Sequence, residues 1–318
     1  MRALTALLAG LFLAIAPAAH AAAFEPEGVA AERIATDGVR YMAYTKADGM
    51  TRVIDDREGT EFEVTTPPDC DNVRAIGGGQ LAWSCGRPRD PWYGAAMLLD
   101  LRTRTVHEPA GLDDLEQQEA YFFEGNGATW YAVGSHWLLG TEGLAAHSAS
   151  TISSVALNWR TGEIRRDQPG GRRVVANPDR GRLTRRLCAP LRRQARTTPV
   201  LEDETPPFLD FQYARPFGVA QIAHRSAGGG RTYTGVLMRC GSRHRVDLGP
   251  YDRDTTQLGG GRVTWMKGRF AHARALRSGA QRRWTLPPKP QMLVHTKRRL
   301  YLLAGPLGTP PQLYSAAQ

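Results

Sequence analysis

The chain has 318 residues, a formal net charge of +10 and 42% hydrophobic residues. Beyond an apolar N-terminal stretch, no run approaches the roughly 20 apolar residues a spanning helix needs, which excludes a chain with several transmembrane helices. The charge comes almost entirely from arginine, since Lys46, Lys267, Lys289 and Lys297 are the only lysines. A GC-rich coding sequence produces that bias, and net charge bears on solubility and polyanion contact without naming a partner.

The first residues read as a secretory signal. Arg2 precedes an apolar core from Leu4 to Ala16, Pro17 ends it, and Ala19-His20-Ala21 offers small residues for cleavage. Residues 1–21 are therefore a signal peptide, and 22–318 form one domain, secreted to the medium or the cell envelope. Four cysteines in an exported chain are expected as disulfides. Three connectivities exist, and Cys70–Cys85 with Cys188–Cys240 is favoured. A two-residue hairpin turn at Gly77-Gly78 would set Cys70 opposite Cys85. The second pair follows mostly by elimination. No C-x-x-C is present, so no metal is expected.

Period-two alternation then runs along the chain. It predicts strands over 39–44, 51–55 and 61–64. A second group covers 73–76, 80–84, 95–101 and 104–107. A third covers 128–133, 136–139, 153–159 and 163–166. Only 111–120 reads as helical, in a surface loop. Residues 160–196 hold twelve arginines and 201–208 are acidic and proline-containing, so an irregular arginine-rich insertion is expected at about 165–210.

Units of this kind start at Gly38, Gly79, Gly134, Gly181, Gly218, Gly261 and Lys297. A repeat of about 40 residues built from short strands is the mark of a β-propeller. The expectation is an all-β chain forming a single propeller of seven blades, with six as the alternative. An N-terminal strand at 32–36 would close the ring. The outer hairpins also match. Leu99-Asp100-Leu101-Arg102-Thr103-Arg104 aligns with Leu157-Asn158-Trp159-Arg160-Thr161-Gly162, and 237–246 and 275–284 repeat the shape. The Asp or Asn can take backbone amides of the turn, with a small residue at the corner. On these motifs the chain resembles secreted bacterial β-propellers of the broad WD40-like, TolB-like and YVTN-like kind. No G-H…W-D signature recurs, so the resemblance implies the superfold and no specific family.

Motifs of catalysis are sparse. The chain has no G-x-S-x-G elbow, no H-E-x-x-H and no phosphate-binding loop. His136 and His224 fall at matching places in their units and could share one ring. Asp69-Cys70-Asp71 and Asp252-Arg253-Asp254 have D-x-D form, but calcium takes six to eight oxygens, so turn capping is the better reading. Trp83, Trp130, Trp137, Trp159, Trp265 and Trp284 suit packing between blades. Trp92 and Tyr93 differ, sitting in an apparent loop beside Arg87 and Arg89, and these four are the candidate ligand-binding residues. The expected function is a non-enzymatic binding module for a protein, peptide or glycan. The arginine-rich insertion suits anionic envelope polymers better than a specific nucleic acid. A monomer with no catalytic residue and no cofactor is expected. The alternative is a propeller hydrolase or lyase acting on an envelope or extracellular polymer.

Overall fold

The computed structural model describes residues 22–46, 48–87, 90–112, 127–146, 149–166, 212–214, 216–225, 231–242, 244–250 and 254–318. The signal segment, Cys188, most of the helical segment and nearly all of the arginine-rich insertion lie outside the described residues.

The described residues form six antiparallel four-stranded meanders. The first sheet runs Ile34–Thr36, Tyr41–Thr45, Met50–Asp55 and Thr60–Thr65. The second runs Cys70–Gly77, Gln80–Arg87, Asp90–Asp100 and Thr105–His107. The third runs Gly127–Val133, Trp137–Ala146, Ala149–Asn158 and Ile164–Arg166. The fourth runs Gln212–Ala214, Phe217–Arg225, Arg231–Arg239 and Arg245–Pro250. The fifth has Thr256–Gly259, Arg262–Lys267, Phe270–Ala275 and Gln281–Thr285, with the short Ala22–Ala23 added in parallel. The sixth has Pro290–His295, Arg299–Ala304 and Gln312–Ala317, and takes its fourth strand, Glu25–Ala30, from the start of the chain.

The sheets converge on their first strands. Cys70–Gly77 packs on Ile34–Thr36 and on Gly127–Val133, while Pro290–His295 packs on Thr256–Gly259 and on Ile34–Thr36. Sheets arranged radially about their first strands make a β-propeller. Large rings fill the wedges between them. Trp83 is fully buried against the first and second sheets and donates its indole N–H to Thr51 Oγ1 at 2.9 Å. Trp284 lies in the core shared by the fifth and sixth sheets.

The outer corners follow the aligned motif. Asp100 Oδ1 accepts the amides of Arg102 and Thr103, each at 2.8 Å, and Asn158 Oδ1 those of Arg160 and Thr161 at 3.1 and 3.3 Å. Asp55 does the same for Arg57 and Glu58 in the first sheet. Gly59 and Gly162 have positive φ, and Arg104 takes the same conformation at 61°. In the first turn, Asp37 Oδ1 captures the amides of Val39, Arg40 and Tyr41. The strand predicted from 39 therefore starts at Tyr41.

Two expectations are corrected in detail. Cys70 and Cys85 are disulfide-bonded cross-strand partners, but the turn is Gly78-Gly79, with Gly77 opposite Gln80. Two register shifts, either side of Val73, then move the partners back so that the cysteines still meet. The strand joined to the last sheet is Glu25–Ala30, whereas Ile34–Thr36 opens the first sheet. Cys240 is also disulfide-bonded.

The repeated glycines have a packing reason. A Cβ on Gly78 would lie 2.1 Å from the Ser135 nitrogen, in the corresponding turn of the next sheet. A Cβ on Gly260 would lie 2.2 Å from the Gly38 carbonyl oxygen. Gly261, also at positive φ, has nothing within 4 Å. Gly260→Ala should thus cost more stability than Gly261→Ala, about 2 kcal/mol or more against about 1 kcal/mol. Urea denaturation checks this, and the reverse order would show that turn packing is not what requires glycine.

Candidate functional site

Strand alternation divides the molecule into two faces. In every sheet the turns between first and second strands and between third and fourth lie at one end. The turns between second and third strands, and the connections from sheet to sheet, lie at the other. The site develops on this connection face, where the first strands begin around the axis.

Four polar residues pair there from sheets that are not all neighbours. Arg33, just before the first sheet, reaches Asp254, just before the fifth, with Nη2 to Oδ1 at 3.5 Å. The sixth sheet lies between those two, and its Leu293 amide donates to the Asp254 carbonyl at 2.7 Å. Asn72 Nδ2 donates to Glu32 Oε2 at 2.8 Å, tying the second sheet to the same segment. Arg74 follows two residues later on the first strand of the second sheet. Val73 pairs with Trp83 and Ala75 with Ala82, so Arg74 is the extra residue of a bulge. Bulges re-aim a side chain and interrupt pairing. The Arg74 Nε is buried without a hydrogen-bond partner, and among the described residues its guanidinium makes no ion pair.

The residues singled out from sequence fall partly here. Arg87 ends the second strand of the second sheet, opposite Asp90, on the connection face. Trp92 and Tyr93 lie on the strand Asp90–Asp100 and not in a loop. Only the backbone of these three residues is described, and Arg89 lies outside the described residues. His136 and His224 are not brought together. His136 precedes the strand Trp137–Ala146, whereas His224 is near the end of Phe217–Arg225, so they sit at opposite ends of equivalent strands. Asp252 and Arg253 are outside the described residues. Among the described residues no three His, Cys, Asp or Glu side chains form a metal-binding group.

The sequence marked Asp254 only as part of a turn-capping D-x-D motif, and did not point to Arg33 or Arg74 as site residues. Their meeting depends on which residues start each first strand, and on a bulge, neither of which alternation reveals. Glu32 and Asn72 were hidden in the same way.

The buried titratable groups elsewhere hold sheets together. His295 is completely buried. Its Nε2 is 3.2 Å from the Gly259 carbonyl, which can only accept, so Nε2 carries the proton. Nδ1 then accepts from Thr264 Oγ1 at 2.8 Å. Burial is the main cause that lowers the His295 pKa to about 4, so the ring is neutral. Asp55 is held below the usual carboxylate range by its bond to Arg40, which it meets through both oxygens. Burial and the nearby Asp56 raise the Tyr301 phenol.

No family model matches the chain, and no curated protein matches it. Comparison with solved structures finds the β-propeller domain of the Trilobed protease from Pyrococcus furiosus, at 10% identity over 92% of this chain and 82% of that one, TM-score 0.39. Oligogalacturonate lyase from Vibrio parahaemolyticus matches at 10% identity over 92% of each chain, TM-score 0.45. Acylaminoacyl peptidase from Pyrococcus horikoshii matches at 10% identity and TM-score 0.38, over 91% of this chain and only 44% of its own length. At 10% identity these likenesses concern the fold alone.

His295 gives a pH test. Its folded pKa lies below the unfolded value near 6.5, so the unfolded chain binds the proton first as pH falls. Stability from this group is intact above about pH 6.5 and is lost towards pH 4. Between pH 7 and pH 5 the loss should be about 2 kcal/mol. Denaturation at both values should show that share missing in His295→Gln. An unchanged acid slope in the variant would refute the neutral assignment.

Proposed function

We propose that the protein is an exported, seven-bladed β-propeller that serves as a binding module and recognises its ligand on the connection face. The observation that carries this reading is the meeting of Glu32, Arg33, Asn72 and Asp254. Polar side chains from the segments opening the first, second and fifth sheets meet there around the axis. The backbone of Arg87, Trp92 and Tyr93 lies on the two strands whose turn is on the same face. Rigid elements that bring polar groups together suit ligand capture. The acids Glu32 and Asp254 are each engaged by a neighbouring side chain, which suits recognition better than proton transfer.

The finer architecture follows from spacing. Gly134 and Gly218 stand about two repeats apart, room for one further blade between the third and fourth described sheets. Glu25–Ala30 supplies the strand that closes the ring. The Cys70–Cys85 disulfide supports an oxidising destination. Cys188 is the remaining partner for Cys240.

A panel of envelope glycans and peptides should be screened against the mature chain at low salt and at 0.5 M salt. At least one ligand is expected to bind through high salt and to weaken about ten-fold in Trp92→Ala or Arg87→Ala. Arg298→Ala, on the opposite face, should change nothing. Binding that disappears with salt, or that follows Arg298, would reject the reading and leave only arginine electrostatics.

A further inference from the structure

The fifth and sixth sheets stand apart from the rest of the chain in charge. Acids account for 31 of the 318 residues, yet none occurs after Asp254, where lysines and arginines number eleven. A coding bias exchanges lysine for arginine but does not clear acids from one stretch.

On the connection face this basic stretch forms one continuous rim. The Leu286 amide donates to the Arg269 carbonyl at 3.0 Å, tying a turn of the fifth sheet to the linker between the two sheets. The Gly305 amide donates to the Lys289 carbonyl at 3.0 Å, tying that linker to the loop 305–311 of the sixth sheet. Prolines at 287, 288, 306, 310 and 311 stiffen the rim. At its tip Leu307 is 94% exposed, whereas Val39, the next large hydrophobic among the described residues, is 40% exposed. One exposed leucine needs no explanation in itself. This one is held out by a rigid turn. Thr309 donates to the Pro306 carbonyl through its amide at 3.4 Å and its hydroxyl at 3.0 Å, and Gly308 takes the positive φ of a type II turn. Lys289, bonded to the base of the same loop, also has positive φ, at an energetic cost that needs a reason. Pro288, Pro306 and Pro310 are exposed around the leucine, with Arg269 and Lys289 exposed beside them. Among the described residues neither cation makes an ion pair.

We propose that this rim docks the protein on an anionic phospholipid membrane, with Leu307 entering the headgroup boundary and Lys289 and Arg269 lying against lipid phosphates. Apolar insertion and attraction to anionic headgroups are each weak alone and hold a protein when they act together. A leucine fixed on a rigid turn loses little freedom on insertion. A soluble polyanion would engage the cations and leave the leucine in water, so the exposed tip favours the membrane.

Flotation of the mature chain with phosphatidylcholine vesicles, plain or containing phosphatidylglycerol, tests this. Capture is expected on the anionic vesicles only and should weaken as salt rises. Leu307→Ser should weaken capture about ten-fold. Leu307→Trp should bind as tightly as the native chain, with its fluorescence shifted to the blue by vesicles. Lys289→Gln should weaken capture about five-fold. Arg277→Gln, on the turn face, should change nothing. All these positions are exposed, so the variants should keep the native urea midpoint.

No capture on anionic vesicles would overturn the proposal. Capture that falls in Lys289→Gln but not in Leu307→Ser would also overturn it, and would mark a plain polyanion surface. Equal weakening by Arg277→Gln would do the same, since net charge alone would then explain the binding. This rim is separate from the ligand residues proposed above. Glycan or peptide binding through Trp92 should be unchanged in Leu307→Ser, so either reading can fail without the other.

Discussion

The junction between the last sheet and the first is the constraint on which the other contacts depend. A sheet left with an open flank exposes apolar surface and unpaired edges, so contacts that cover the flanks of the last and first sheets matter. Here the junction is polar and highly specified. Thr36 Oγ1 donates to the His295 carbonyl at 2.9 Å across this junction, while the amide and ring of the same His295 bond to Gln257, Gly259 and Thr264 of the fifth sheet. The Lys297 amide donates to the Val39 carbonyl, and Thr296 to the buried Asp56. Arg299 lies 3.6 Å from Glu27 and 3.9 Å from Asp56, linking the N-terminal strand to the first sheet through the last. A buried neutral histidine with both nitrogens bonded fits one register and penalises others. Apolar contact alone would tolerate slippage.

The arginine excess also has a physical use beyond coding bias. Guanidinium planes lie over aromatic rings around the molecule. Arg104 sits 4.4 Å from the Phe62 centroid, Arg165 4.6 Å from Trp137, and Arg160 4.7 Å from Trp159. Arg239 stands over Phe217, its direct cross-strand partner. At exposed sites each such contact is worth about 0.5–1 kcal/mol, and the planar guanidinium stacks where an ammonium does not. Meanwhile Asp37, Asp55 and Asp100 turn their carboxylates onto backbone amides. Part of the positive charge therefore shields rings, and part of the negative charge is spent inside turns.

How far the sequence reveals this follows from range. Asp100 and Asn158 act within three residues, so the corner motif was readable and the structure matches it. The Cys70–Cys85 pair was readable because a hairpin is local, although the turn lies one residue later and register shifts compensate. The N-terminal strand that pairs with the last sheet was not. Glu25–Ala30 contains Pro26 and Gly28, which carry no alternation and suit an edge strand where few ladder bonds are required. Its identity is decided by Gln312–Ala317, almost the whole chain away. The mouth was equally hidden, since Arg33 and Asp254 are 221 residues apart.

The same contrast separates the two faces. On the turn face, backbone meets backbone. Gly78 abuts Ser135, Gly260 abuts Gly38, and no side chain can be added without moving a neighbouring sheet. Such a face is costly to alter, because each change is felt by two sheets at once. Among the described connections, Gly111 makes a comparable backbone contact with Gly162, whereas the segments holding Glu32, Arg33 and Asp254 contain no glycine. Its segments join sheets whose positions are already set by their own cores and by the junction. Residues of these segments, such as Glu32 and Arg33, lie outside the regular strands and are less constrained by the sheets beneath them. What holds the sheets in place is thus concentrated where backbone meets backbone, and the segments between sheets are left freer to differ in chemistry.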